Sequence, residues 1–125
     1  MARILVAEDD DAVRGFVQRA LVEDGHDAIV ARDGAEALDV LHREAGAFDL
    51  LLTDIKMPVM DGIALALATV RDYPAVPVLL MTGYADQRER AYGLEQLIHD
   101  VIAKPFTLAQ LQSVVNGALA TRSRT

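Results

Sequence analysis

The chain contains no cysteine, no tryptophan and only four prolines in 125 residues. Without cysteine there is neither a disulfide framework nor a thiolate metal site, and the composition suits a reducing compartment. Long hydrophobic runs are missing as well. Apolar residues make up 52% of the chain, yet each run is only a few residues long, against the roughly 20 needed to cross a bilayer. The opening MARILVAEDD sets acids directly behind a very short apolar stretch, the wrong order and length for a secretory signal, so a cytoplasmic location is expected. Positive charge is the next deficit. Twelve Lys and Arg stand against nineteen Asp and Glu, a formal net charge of −7, whereas nucleic acid and anionic lipid are bound by clustered cations. Neither is expected as a partner. There is no Walker-type glycine loop, Gly-rich dinucleotide fingerprint or HExxH motif, which removes the usual parts of nucleotide and zinc hydrolases.

What the chain does contain is a rhythm. Short β-type runs recur at RILVA (3–7), DAIVA (27–31), DLLLT (49–53), VPVLLM (76–81) and DVIA (100–103), with helix-length segments between them. Val13, Phe16, Val17, Ala20 and Leu21 repeat at helical spacing, so the first segment can lay one apolar stripe on a sheet before Gly25 ends it. Asp33 with Glu36, and Thr107 with Gln110, have capping-box spacing and mark the starts of the second and fifth helices. The strand runs are apolar at consecutive positions, as expected of a parallel sheet covered on both faces. Right-handed crossovers then give an α/β fold, a doubly wound five-stranded parallel sheet of (βα)5 type. The length fits one domain. It is expected over 1–121, with a basic tail at 122–125 in which no output domain follows the fifth helix.

In open parallel sheets the functional groups stand where strands end at their carboxyl side. Strand one ends in Glu8, Asp9, Asp10 and Asp11, strand three in Asp54, strand four in Thr82, and strand five in Lys104 and Pro105. Acids, a hydroxyl and a lysine, far apart in sequence, are therefore expected at one edge. Crowded carboxylates repel and call for a divalent cation, for which an all-oxygen donor set suits Mg2+ or Mn2+. A carboxylate beside such a cation can attack phosphorus while a lysine and a hydroxyl hold the other oxygens. Each residue alone has a plainer reading. Acids before a helix are caps, Asp54 and Thr82 are turn residues, and Lys104 is a solvated charge. Asp10 or Asp11 is expected to cap the first helix. Asp49, about 17 Å down an extended strand from Asp54, belongs to the opposite edge. His26, His42 and His99 show no metal spacing and are taken as structural or surface residues.

The acid pair in VAEDD, the stretch LLLTDIKMPVMDG, the hydroxyl in LLMTGYAD and the terminal AKPF together resemble the receiver domain of two-component response regulators, a flavodoxin-like fold. The resemblance covers nearly the whole chain. It implies a phosphorelay switch in which Asp54 accepts a phosphoryl group from a sensor histidine kinase or a histidine phosphotransfer protein, not an enzyme acting on a separate substrate. It implies further that Asp9 binds Mg2+ directly, Glu8 acts largely through water, and Lys56 contributes its backbone carbonyl. Thr82 and Lys104 would contact the phosphoryl oxygens, with a cis peptide before Pro105. Lys56 and Tyr84 occupy the family's two positions bordering the phosphoryl group, where side chains tune its lifetime. The chain departs from the usual pattern at Val101, where most receivers carry an aromatic switch residue; Tyr84, released by Gly83, is a candidate substitute. The wording ILVAEDDDAVR, MTGYAD and the aliphatic Val101 resembles the subgroup containing the alphaproteobacterial regulator CpdR, which implies an adaptor role toward the ClpXP protease. Two other readings remain open: a pseudo-receiver that binds partners constitutively, and a small-molecule phosphatase. The latter would usually want a second acid where Lys56 stands.

Overall fold

The computed structural model describes residues 1–83 and 97–123. Five parallel strands form one sheet in the order β2-β1-β3-β4-β5: β1 (Arg3–Ala7), β2 (Asp27–Ala31), β3 (Leu50–Asp54), β4 (Val78–Thr82) and β5 (Asp100–Ala103). The described helices are α1 (Asp11–Glu23), α2 (Gly34–Arg43), α3 (Gly62–Asp72) and, after β5, α4 (Leu108–Ser123). This is the doubly wound α/β sheet expected from the apolar rhythm.

The central strands β3 and β4 are buried at every position, which explains their consecutive apolar residues. Their side chains divide between two layers. Leu5, Leu51 and Leu80 face the layer that includes Ala37, Leu41 and Leu65 of α2 and α3. Ile4, Val6, Leu50, Leu52, Leu79 and Met81 face Val17, Leu21, Leu111 and Val115 of α1 and α4. Fully burying one such aliphatic side chain contributes about 1.5–3 kcal/mol, so the two layers are the main stabilising contribution on each side of the sheet.

Helix starts follow the caps. Asp10 accepts the Val13 N–H at 3.0 Å, Asp33 the Glu36 N–H at 2.8 Å, and Asp61 the Ala64 N–H at 2.9 Å. Thr107 and Gln110 form a reciprocal box: the Thr107 N–H donates to Gln110 Oε1 at 2.8 Å and the Gln110 N–H to Thr107 Oγ1 at 3.1 Å. Gly25, with φ of 85°, lies in the left-handed region just beyond α1, where a glycine costs least.

Two strands sit later than their apolar runs suggest. β4 begins at Val78 rather than Val76, because Pro77 has no N–H for a ladder and contributes only its carbonyl, which accepts from Leu51. β3 runs on to Asp54 instead of stopping at Thr53, since the ladder continues through the Ile55 N–H to the Met81 carbonyl. The strand thereby carries the acid itself. Asp49 lies at the other edge, where its Oδ2 accepts the Arg3 N–H at 2.8 Å.

Candidate functional site

The register brings the expected residues level. Ala7 pairs with Thr53, Asp54 with Met81, and Thr82 with Ala103. Glu8, Asp54, Thr82 and Lys104 therefore fall within about one residue, roughly 3.3 Å, of a common line at the carboxyl edge. Strands β1 and β3 are neighbours that lead to opposite sides of the sheet, so their ends flank the crevice where open α/β sheets place their ligands.

At this edge the carboxylates of Glu8, Asp9 and Asp54 each offer an oxygen within 4.8 Å of the others, a grouping that could hold a metal ion. Glu8 is fully buried, Asp54 is 6% exposed and Asp9 is exposed. The site thus has two buried acids and one solvent-facing one. All its acidic donors are oxygens, the chemistry of a hard divalent cation rather than of zinc held by thiolate and imidazole.

Asp54 is fixed from several directions. Its Oδ1 accepts the Ile55 N–H at 3.0 Å, and its Oδ2 lies 3.1 Å from Lys104 Nζ. Its carbonyl accepts the buried Thr53 hydroxyl at 2.9 Å, and Gly62 packs so closely that a Cβ there would stand 1.9 Å from that carbonyl oxygen. The loop after β1 is tied as well: Arg14 donates to the Glu8 carbonyl at 3.0 Å and pairs with Asp11.

Lys104 Nζ donates to Glu8 Oε1 at 2.7 Å, and the Asp10 N–H donates to Glu8 Oε2 at 3.2 Å. Burial pushes the Glu8 carboxyl up to about 7, with the Asp54 charge adding to the rise and the Lys104 bond opposing it. For Lys104, burial alone would pull the ammonium down, but the Glu8 bond and the Asp54 charge outweigh it, and the net direction is up. Lys104 therefore stays charged.

Thr82 is buried at the end of β4, and its carbonyl accepts the Lys104 N–H at 2.7 Å. The Lys104–Pro105 peptide is cis. Lys56 is exposed two residues beyond Asp54. Val101 is partly buried in β5, opposite Leu80, and packs on the layer shared with α2 and α3. Tyr84 lies outside the described residues. Sequence patterning missed four contributions: the Glu8–Lys104 bond, the Thr53 hydroxyl, the Arg14 tie and the Gly62 approach. Only Gly62 left a signal, in the Asp-Gly pair that otherwise looks like a plain turn.

The chain matches the sequence profile of the response regulator receiver domain over residues 4–116. It is 32% identical over 117 residues to the DNA-binding transcriptional regulator NtrC of Escherichia coli, covering 94% of this chain and 24% of that protein. It is 37% identical over 114 residues to the response regulator protein FleR of Pseudomonas aeruginosa, covering 91% and 24%. The chain thus spans about a quarter of the length of these two relatives. Among solved structures, a CheY-like receiver domain protein from Methanospirillum hungatei superposes with a TM-score of 0.89 at 27% identity, covering 99% of this chain and 98% of that one. TrrA of Thermotoga maritima, solved in complex with Mg(2+)-BeF, gives 0.82 at 27% identity, covering 94% and 99%. Among the described residues no helix is long and apolar enough to cross a membrane.

Proposed function

Since this chain belongs to the response regulator receiver domain family, we propose that it is a phosphorylatable switch of a two-component system with Asp54 as the phosphoacceptor. The observation that carries this reading is the meeting of three carboxylates within 4.8 Å, with the Lys104 ammonium 3.1 Å from Asp54. A carboxylate oxygen of Asp54 attacks the phosphorus of a phosphohistidine on a sensor histidine kinase or histidine phosphotransfer protein. The new P–O bond forms as the P–N bond breaks, and the electron pair stays on the imidazole nitrogen. The product is an aspartyl phosphate.

The chain's own residues orient and neutralise. The Ile55 N–H holds Asp54 Oδ1, which limits the rotation of the nucleophile. Lys104 and the Thr82 hydroxyl serve the transferring oxygens, where added negative charge is most in need of donors. Glu8, Asp9 and Asp54, with the Lys56 backbone carbonyl, would hold Mg2+ or Mn2+. When bound, such a cation supplies positive charge beside the phosphoryl oxygens. The oxygen donor set supports this assignment, as does the Mg(2+)-BeF complex of the similar TrrA. The Lys56 and Tyr84 side chains border the phosphoryl group and set its lifetime; Val101 stands where most receivers carry the aromatic switch residue, and Tyr84 is the candidate substitute.

Output runs through contact with another protein in the cytoplasm. The wording shared with the CpdR subgroup supports delivery of substrates to ClpXP as its finer form. Incubation with acetyl phosphate and Mg2+ tests the reading. One phosphoryl group per wild-type chain and none on Asp54→Asn is expected. No label on either protein points instead to a constitutive binding scaffold, and continuing release of phosphate to a phosphatase.

A further inference from the structure

The loop that follows Asp54 is pinned at three points. Nearest the strand, the Gly62 N–H donates to the Ile55 carbonyl at 2.8 Å. At the tip the Met60 N–H donates to the Pro58 carbonyl at 2.7 Å across Val59, whose φ of 67° gives the rare and strained hand of a three-residue turn. The third pin comes from another element. Gly34, the first residue of α2, donates its N–H to the Met60 carbonyl at 3.0 Å, and a Cβ on it would stand 2.4 Å from that oxygen and 2.9 Å from Met60 Cγ. Met57 and Met60 both pack into the layer of α2 and α3, whereas Val59 between them is 86% exposed. Burial of Val59 therefore does not offset the strain, and the surroundings of the turn must hold it. The start of α2 can do so: Asp33 caps it at the Glu36 N–H, and Ala37, Val40 and Leu41 fix it in the core.

We propose that Gly34 is a positioning residue for the loop beyond Asp54: its N–H and bare Cα hold the Met60 carbonyl, and with it the strained turn at Val59 and the backbone carbonyl of Lys56. This role rests on the metal-dependent phosphoacceptor reading above, in which the Lys56 carbonyl is a ligand, and it extends that site to the start of α2. The Lys56 carbonyl lies between those of Ile55 and Pro58, both fixed by hydrogen bonds, so its direction follows theirs. Only glycine admits so close an approach of the helix start to the Met60 carbonyl. Once Gly34 lets go, Val59 relaxes out of the left-handed region, the Pro58 carbonyl loses its donor, and the Lys56 carbonyl turns with it. Cation binding at Lys56 and closure of the Gly34 contact therefore favour each other.

The test compares wild type, Gly34→Ala, Val59→Asn and the double variant by urea unfolding and by calorimetric titration with Mg2+, and follows the Gly34 amide of wild type by NMR. Gly34→Ala is expected to fold and to bind Mg2+ about tenfold more weakly, the low end for groups that orient a metal's ligands. Val59→Asn, which keeps the turn, binds Mg2+ as wild type does. The stability gained by Val59→Asn in the wild-type background vanishes in Gly34→Ala, where the turn has already relaxed. In wild type the Gly34 amide resonance moves along the Mg2+ binding curve. The role is overturned by a Gly34→Ala protein that is less stable yet binds Mg2+ normally, by an equal Val59→Asn gain in both backgrounds, or by a Gly34 amide indifferent to Mg2+. The last of these needs no variant to fold. If wild type itself binds no Mg2+, the metal reading fails and takes this role with it.

Discussion

Gly62, the first residue of α3, packs backbone to backbone against Asp54, the last residue of β3: a Cβ on Gly62 would stand 1.9 Å from the Asp54 carbonyl oxygen and 2.8 Å from its carbonyl carbon. The Gly62 N–H meanwhile donates to the Ile55 carbonyl at 2.8 Å. The loop carrying Lys56 is closed by this approach, so the helix start and the acid move together.

Gly62→Ala must therefore shift the loop. The obstacle is backbone and cannot rotate aside, so the variant is expected to lose about 1–3 kcal/mol, the usual cost of overpacking. Urea denaturation of wild type and variant measures it. A loss below half a kcal/mol, which is about the scale of a neutral surface change, would show that the loop gives way freely.

Val59 is 86% exposed and has a φ of 67°. A β-branched residue is strained in the left-handed region, by roughly 1–2 kcal/mol. Asparagine tolerates that region, so Val59→Asn is expected to raise stability by about 1 kcal/mol without altering Asp54 chemistry. Thermal unfolding of the pair is the check; a drop in midpoint contradicts the strain.

Glu8 gives the metal-free protein a pH dependence. Its folded pKa, pushed up to about 7, exceeds the ordinary carboxyl value of 4.5, so between those values the folded state holds more protons than the unfolded one. Its contribution to stability is fully present below the ordinary value and is lost as pH rises through about 7. The difference in unfolding free energy between wild type and Glu8→Gln, measured without divalent cations at pH 4.5, 6 and 8, should move against wild type on going up. A difference independent of pH would mean that Glu8 titrates normally.

Lys56 is exposed two residues beyond Asp54, the proposed phosphoacceptor, where a side chain can admit or exclude water. Lys56→Ala is expected to change the half-life of the Asp54 phosphate severalfold, followed as phosphate release after the donor is removed. An unchanged half-life leaves only the backbone carbonyl of Lys56 with a role.

Much of this site was legible in the sequence because parallel α/β folds collect strand ends at one edge. Runs of consecutive apolar residues located the strands, and Asp33, Asp61 and Thr107 stand at helix starts where short polar side chains belong. Glu8, Asp54, Thr82 and Lys104 were reached by counting to the ends of those runs. The bond from Lys104 to Glu8 was not legible, since it depends on which of two nearby acids a long side chain meets. Nor were the Thr53 hydroxyl on the Asp54 carbonyl or the left-handed Val59, which are consequences of the packed loop rather than of local pattern. The strand limits at Asp54 and Val78 were set by ladder hydrogen bonds that an apolar run does not display.

Of the carboxylates crowded at this edge, Asp54 is the one proposed to carry the phosphoryl group. Protein treated with acetyl phosphate and Mg2+ can be reduced with borohydride, which converts an aspartyl phosphate to homoserine, and then digested with trypsin. Homoserine is expected at position 54, in the peptide that ends at Lys56, and nowhere else. Homoserine at Asp9 with Asp54 intact, or no conversion at all, would contradict the assignment.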